Sequence, residues 1–490
     1  MTHARPAHLT PFLALLLASG LGAGCQEKDG SIDDTAEPAC FPPVVGLSSS
    51  AAVFVGGSTT DHIGEYVEGG NDLNGDGVPD VVASSTQAQG SGKFTGKVSA
   101  ATLPAEGNVQ FSSGLANISG ANEFDYFGDA LQVYDFSGDG YAEIVVGARG
   151  NDDGVTDGGA AYLFYGPVKG ELGGDDADVV VVNDELEQSY LGQGVAAGGD
   201  YDGDGSYDFA VGMPGTDFVV MYRGPFPPGD LTFGDLYNYF YAELELDHLG
   251  AKLATVDMDG DGTDDLFMSA PEYYKGGERV GKVYAVFDPL GYEIGGVDME
   301  DIEGAVVGVS PEFRPGTDIE PVQDVNGDGY GDIFLGAQYG ATRTGENGGS
   351  NEGGAVLMQG PLKTTRAING ADATLVGELA GDLAGLQVDV PGDVNGDDYP
   401  DFLIGAPGSD HAGAEAGAAY LVFGPISGTI TLDQADVRFD GVAAGQRAGY
   451  GVSKGGDVNS DGYADLLVSA VGDPTENATG AVFLIHGCGR

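Results

Sequence analysis

Seven copies of one nine-residue string constrain this chain more than anything else in it: Asp72–Asp80 (DLNGDGVPD), Asp135–Glu143 (DFSGDGYAE), Asp200–Asp208 (DYDGDGSYD), Asp257–Asp265 (DMDGDGTDD), Asp324–Asp332 (DVNGDGYGD), Asp393–Asp401 (DVNGDDYPD) and Asp457–Asp465 (DVNSDGYAD). Their first residues lie 57 to 69 positions apart. A unit of that length is too small to bury a core alone, so the units must stack on one another. Each string runs straight into an apolar segment: VVASS, IVVGA, FAVGM, LFMSA, IFLGA, FLIGA and LLVSA. A second apolar run follows, often closed by Gly-Pro, as in Ala160–Pro167, Phe218–Pro225 and Ala418–Pro425. A third short run comes next (Asp178–Val182, Asp372–Val376, Asp436–Asp440). An apolar-Gly pair then leads back to the next string: Phe127-Gly128, Leu191-Gly192, Leu249-Gly250, Ala384-Gly385 and Tyr450-Gly451. Each unit thus offers four short strands and no helical period. Seven such units predict an all-β fold, a seven-bladed β-propeller of four-stranded blades.

The order Phe-Gly, then Asp-x-Asn-x-Asp-Gly-x-x-Asp, then Gly-Ala-Pro resembles the FG-GAP repeats of the integrin α-subunit propeller and its bacterial relatives. Gly405-Ala406-Pro407 is the closest match to the last element, and the resemblance covers about residues 50–490. Unit five departs from it, with Phe313-Arg314-Pro315-Gly316 where Phe-Gly is expected, and unit one has Ile63-Gly64.

The strings carry oxygen at regular places, and a hard divalent cation takes six to eight oxygens. Positions 1, 3, 5 and 9 supply Asp72, Asn74, Asp76 and Asp80 in the first loop, and Asp135, Ser137, Asp139 and Glu143 in the second. The third and fourth hold Asp200, Asp202, Asp204, Asp208 and Asp257, Asp259, Asp261, Asp265. The last three hold Asp324, Asn326, Asp328, Asp332; Asp393, Asn395, Asp397, Asp401; and Asp457, Asn459, Asp461, Asp465. These sets predict up to seven Ca²⁺ sites. Position 12, where an EF-hand needs Glu, is Ala83, Val146, Val211, Met268, Leu335, Ile404 or Val468, so EF-hands are excluded. Solvated Asp-Gly turns explain one such loop as well as a metal does; they explain seven in register poorly.

The loops also account for much of the charge. The chain has 77 Asp+Glu against 19 Lys+Arg, a formal net charge of −58, which argues against nucleic acid and anionic membrane surfaces as partners. The N-terminus reads as an export signal over residues 1–24: Arg5, the apolar run Leu9–Leu21, then small residues up to Cys25. It resembles a bacterial lipoprotein signal, which implies lipidation of Cys25 and placement at the outer membrane or cell surface; a plain secretory signal is the alternative. Residues 25–40 read as a flexible acidic tether and 41–490 as the propeller.

The N-terminal strand Ala51–Gly56 is expected to close the ring by joining the last blade beside Ala481–Gly487. That pairing would bring Cys40 and Cys488 together as a disulfide, the alternatives being two free thiols or a bond to another chain. Gly451-Val452-Ser453-Lys454-Gly455 fits the nucleophile-elbow pattern but falls on a strand with no helix after it. Without converging acid, base or nucleophile outside the repeat, the chain is expected to be no enzyme.

By analogy with the integrin head, the resemblance implies a monomeric, non-catalytic module for adhesion or for binding a protein or glycan ligand, touching membrane only through a lipid anchor. Alternatives are an envelope scaffold, or a propeller hydrolase or lyase acting on glycans or phosphodiesters. The ligand face is expected opposite the acidic loops, with Tyr273, Tyr274, Arg279, Tyr339 and Arg343 as anchors in two long connections.

Overall fold

The apolar segment behind each acidic string becomes the second strand of a sheet and is buried along its whole length. Asp80–Ser85, Glu143–Ala148, Asp208–Met213, Asp265–Ala270, Asp401–Ala406 and Asp465–Ala470 have no exposed residue. A strand covered on both faces has no polar side to show, which is why these runs are continuously apolar rather than alternating. The computed structural model describes residues 41–58, 61–88, 93–103, 107–292, 295–310, 314–338, 352–472 and 479–489.

Seven five-stranded sheets form the blades, and a separate two-stranded hairpin pairs Tyr274–Lys275 with Glu278–Arg279. In the second blade, Ala130–Tyr134, Glu143–Ala148, Ala160–Phe164 and Val179–Val182 pair antiparallel in succession. Gly229–Leu231 then adds in parallel to the outer edge. The expected four-stranded blade is therefore wrong: every blade has five strands. The fifth comes from the next unit, just before a 3₁₀ turn that leads into that unit's own outer strand. Gly170–Gly173, Gly296–Asp298 and Gly428–Thr431 do the same for the first, third and fifth blades. These pieces are three or four residues long, exposed or half-buried and glycine-led, so neither period nor apolar content marks them. Their backbone hydrogen bonds clasp each blade to its successor and cover an outer edge that would otherwise stand unpaired.

The N-terminal strand joins the last blade beside Ala481–Ile485, but it is not the outermost strand there, and no sheet closes on itself. Ala52–Val55 pairs antiparallel with Ala481–Ile485, but Gly107–Gln110 lies outside it as a fifth strand, and Val44–Gly46 edges the sixth blade in parallel with Val437–Asp440.

The apolar-Gly pairs join neighbouring blades. Phe127 bridges Gly96, Leu191 bridges Gly159 and Ala384 bridges Gly353. At Gly128, φ is +97° and an added Cβ would meet the Ser84 Cβ at 2.9 Å, so glycine is needed for conformation and for space. In the last blade the bridge is Gly417 to Ala448, so the pair is Ala448-Gly449, not Tyr450-Gly451. The sequence misleads there because two Gly pairs stand in tandem. In unit five the irregular string still works: Gly316 has φ +90°, its N–H donates to Gly336 O at 3.1 Å, and the inner strand Asp318–Val322 forms. Aromatic contacts fill the seams, with Phe334 edge-to-face on Phe402 at 5.1 Å and Phe127 against Tyr162 at 5.3 Å.

Candidate functional site

Each acidic string connects the innermost strand of a blade to the second, so all seven lie at one end of the propeller. Within each string the acids have separate tasks. Position 1 folds the loop: Asp324 Oδ1 accepts the N–H groups of Gly327 (2.6 Å) and Asp328 (3.0 Å), and Oδ2 accepts that of Gly329 (2.6 Å). Asp72 does likewise, and although partial burial works the other way, the donors from Gly77, Gly75, Asn74 and Asp76 hold its carboxyl below the usual range. Position 5 accepts from the N–H of position 7 in every loop, as from Asp76 to Val78 and from Asp461 to Tyr463. Such Asx-type bonding shapes the turn, and the second oxygen takes other donors in some loops, as from Asn326 to Asp328 and from Asn459 to Asp461.

Position 9 is different. Asp80, Glu143, Asp208, Asp265, Asp332, Asp401 and Asp465 are all buried, at 1% exposure or less. Each accepts the N–H of position 2, as in Val394 to Asp401 at 2.9 Å. In four loops the other oxygen accepts a glycine N–H at the end of the third strand: Gly224 to Asp208, Gly360 to Asp332, Gly424 to Asp401 and Gly487 to Asp465, at 2.8–2.9 Å. The recurring glycine of Gly-Pro has its reason here, since a Cβ on Gly224 would sit 2.0 Å from Tyr207 O and one on Gly424 2.2 Å from Pro400 O. Burial pushes Asp80, Asp208 and Asp332 up to about 6 and Asp265 and Asp401 to about 7. So position 9 is a structural brace as well as a candidate ligand.

Three loops bring three acids together with oxygens within 4.8 Å of one another: Asp135, Asp139 and Glu143; Asp200, Asp202 and Asp208; Asp257, Asp259 and Asp261. Each set can coordinate a divalent cation. In the other four, position 3 is Asn74, Asn326, Asn395 or Asn459, whose amide oxygen replaces a carboxylate. Two position-3 oxygens fit a cation directly: Oδ1 of Asp259 and Oδ1 of Asn395 are buried without a hydrogen-bond partner. Sequence reasoning missed the basic side chains beside the loops. Arg223 Nε lies 2.5 Å from Asp202, Lys363 Nζ 2.8 Å from Asp259, and His486 Nδ1 3.2 Å from Asp465. Arg223 directly precedes a Gly-Pro, the one sequence signal that places it there.

The opposite end carries the connections between outer strands and the next inner strands. Tyr274 and Arg279 sit on the hairpin, joined by Arg279 Nε donating to Tyr274 Oη at 2.7 Å, and Arg279 pairs with Glu272 at 2.5 Å. Tyr273 is only half exposed and donates to Glu243 at 3.2 Å. Cys25, Cys40, Tyr339 and Arg343 lie outside the described residues. Cys488 is disulfide-bonded. Composition drew attention to tyrosine and arginine, yet this end also exposes large apolar side chains: Phe124, Leu244, Leu246, Val309, Leu379 and Val442.

A second charged region lies on the axis, where the innermost strands surround a cavity of about 740 Å³. Glu68, Lys252, Asp318, Glu320, Asp389 and Lys454 line it. The signal was an ionisable residue in or just before an inner strand, at the second, fourth or fifth place after the repeat glycine, and the acidic loops masked it.

The comparisons agree with this architecture. The FG-GAP repeat model matches residues 127–164, 249–286 and 385–422, each spanning an inner strand, its loop and the next two strands. The fold is an integrin-α-like propeller of FG-GAP repeats. The chain is 32% identical over 238 residues to integrin alpha-PS2 of Drosophila melanogaster, covering 47% of this chain and 16% of that protein. It is 30% identical over 241 residues to integrin alpha-V of Gallus gallus (46% and 21%) and 27% identical over 272 residues to integrin alpha-5 of Xenopus laevis (50% and 24%). The chain thus matches less than a quarter of the length of these relatives.

Proposed function

We propose that this propeller is an exported, calcium-braced and non-catalytic module that binds a protein or glycan ligand at the cell surface. The observation that carries the reading is the division of its two ends. One holds the seven oxygen-rich loops; the other presents exposed apolar side chains beside the Tyr274–Arg279 hairpin. Exposed apolar groups next to Arg and Tyr are common interface anchors. The likeness to integrin α subunits supports the same use of the fold, and function is argued from the site because propellers serve many tasks.

Calcium would be held by positions 1, 3, 5 and 9 of the loops, most readily in the second, third and fourth, where carboxylates already converge. Ser453, the one residue with a nucleophile-like surrounding sequence, is buried inside a paired strand opposite Leu467. Among the described residues no helix is long and apolar enough to cross a membrane. The proposal places membrane attachment, where it occurs, on a lipidated Cys25, and pairs Cys488 with Cys40. Thiol titration of the unfolded, unreduced mature chain tests the pairing: no reactive thiol from either residue is expected.

The experiment for the reading as a whole is binding of the purified mature chain to arrayed cell-surface proteins and glycans, with calcium and with chelator. Calcium-dependent binding lost in a Leu246→Ala, Leu379→Ala, Tyr274→Ala triple variant supports it. Binding that the triple variant leaves intact refutes the face.

A further inference from the structure

The axial cavity holds unlike charges in unequal number. On one side Lys252 is matched: its Nζ stands 3.9 Å from Asp318 and 4.2 Å from the centre of the Tyr66 ring. On the other, Lys454 alone faces three carboxylates, Glu320, Asp389 and Glu68, and their field raises its pKa, Glu320 first. Two negative charges are left over when all three ionise. Burial opposes this and pushes Glu68 up to about 8, with Glu320 and Asp389 raised as well.

Asp389 supplies the independent observation. It is 6% exposed and lines the cavity; its Oδ2 accepts the Lys454 N–H at 3.1 Å and the Ser453 hydroxyl lies beside the carboxyl, but that hydroxyl donates to Lys454 O and Oδ1 stays buried outside hydrogen-bond geometry. A buried carboxylate oxygen without a donor is costly, and a ligand that brings one removes the cost. Across the axis, the second and third blades line the cavity with uncharged residues, among them Ala130, Gln132, Gln193 and Ala197.

We propose that this cavity binds a short aliphatic diamine, its two ammonium groups donating to Asp389 Oδ1 and to the Glu68–Glu320 pair. A single metal ion fits less well. The axial carboxylates are not among the groups of three acids whose oxygens come within 4.8 Å of one another, whereas a divalent ion needs its oxygens close around it. Two ammonium groups on a flexible chain reach carboxylates that are spread apart and supply the two missing positive charges. The cavity volume falls in the usual range of small-molecule sites, about 300–1,000 Å³. The carboxylates that would take the diamine lie outside the calcium loops, although Asp324 of the fifth loop also lines the cavity, which is why the loops are kept filled in the test.

The test is calorimetric titration of the mature chain with 1,4-diaminobutane, at calcium high enough to fill the loops, with butylamine as the single-charge control. Saturable 1:1 binding is expected, at least about tenfold tighter than butylamine. Asp389→Asn and Glu320→Gln should each weaken it about tenfold or more. Asp433→Asn, an exposed surface acid, should leave it unchanged. Ala197→Leu fills the space without altering charge and should also weaken binding, so it serves even where a charge variant fails to fold. Absence of saturable binding, equal binding of butylamine, or full binding by folded Ala197→Leu and Asp389→Asn proteins would overturn the proposal.

Discussion

The loop rim and the axis are both acidic, and they handle negative charge in opposite ways. On the rim, carboxylates at positions 1 and 5 are satisfied by backbone N–H groups of their own loop and face water. On the axis, carboxylates from separate blades share one lysine and burial penalises their charge. Charge on the rim is tolerated because it is solvated and poised for cations; charge on the axis survives only through a named partner. Position 9 of each loop stands between the two, acidic yet fully buried, and in four loops it is tied to the third strand.

The strongest way to break this contrast is to remove calcium. Chelation is expected to lower the melting temperature more than any single substitution, because several loops lose their cation together. Calcium should restore it better than magnesium, which demands a stricter octahedron. Each loop filled a hundredfold above its Kd adds about 2.7 kcal/mol. A melting curve unmoved by excess chelator would place the rim with ordinary solvated turns.

Lys454→Met tests the axis next. With the shared lysine gone, Glu68, Glu320 and Asp389 lose their partner, and urea unfolding should show a loss of about 3 kcal/mol at pH 8, the low end for a broken buried pair. The loss should shrink at pH 5, where the raised carboxyls hold protons.

A pair of substitutions in one loop sharpens the distinction within the rim. In chelator, Asp332→Ala strands the N–H groups of Val325 and Gly360 and should cost about 2 kcal/mol. Asp328→Ala, at an exposed position, should cost under about 0.5 kcal/mol in chelator. Both should abolish calcium uptake by that loop, as read by titration.

The last expected effect is read as a slope. Glu68 titrates near 8 in the folded chain against an ordinary value near 4.5, so the folded state holds the extra proton between those limits. Its contribution to stability is therefore full below about pH 4.5 and is lost as pH rises towards 8, at no more than about 1.4 kcal/mol per pH unit. Glu68→Gln should flatten that part of the stability–pH curve, and an unchanged slope would show that Glu68 is solvated.

Local chemistry made much of this legible in the sequence. The number of blades, the place of each acidic loop, the buried second strand and all but the last of the bridging glycines follow from residue type at fixed spacing, because turn formation and strand burial are set within a few neighbours. Asp324, Asn326, Asp328 and Asp332 could be grouped as one set because the loop that joins them is short. The fifth strands could not be found that way. Gly170–Gly173 and Gly428–Thr431 are strands only because a neighbouring blade offers an unpaired edge, and nothing in their own composition asks for pairing. The brace from Gly424 to Asp401 and the gathering of Glu68, Glu320, Asp389 and Lys454 also join residues from distant stretches of chain. Their register is fixed by how the blades stack around the axis, so the sequence determined the blades and the tertiary structure alone decided what they share.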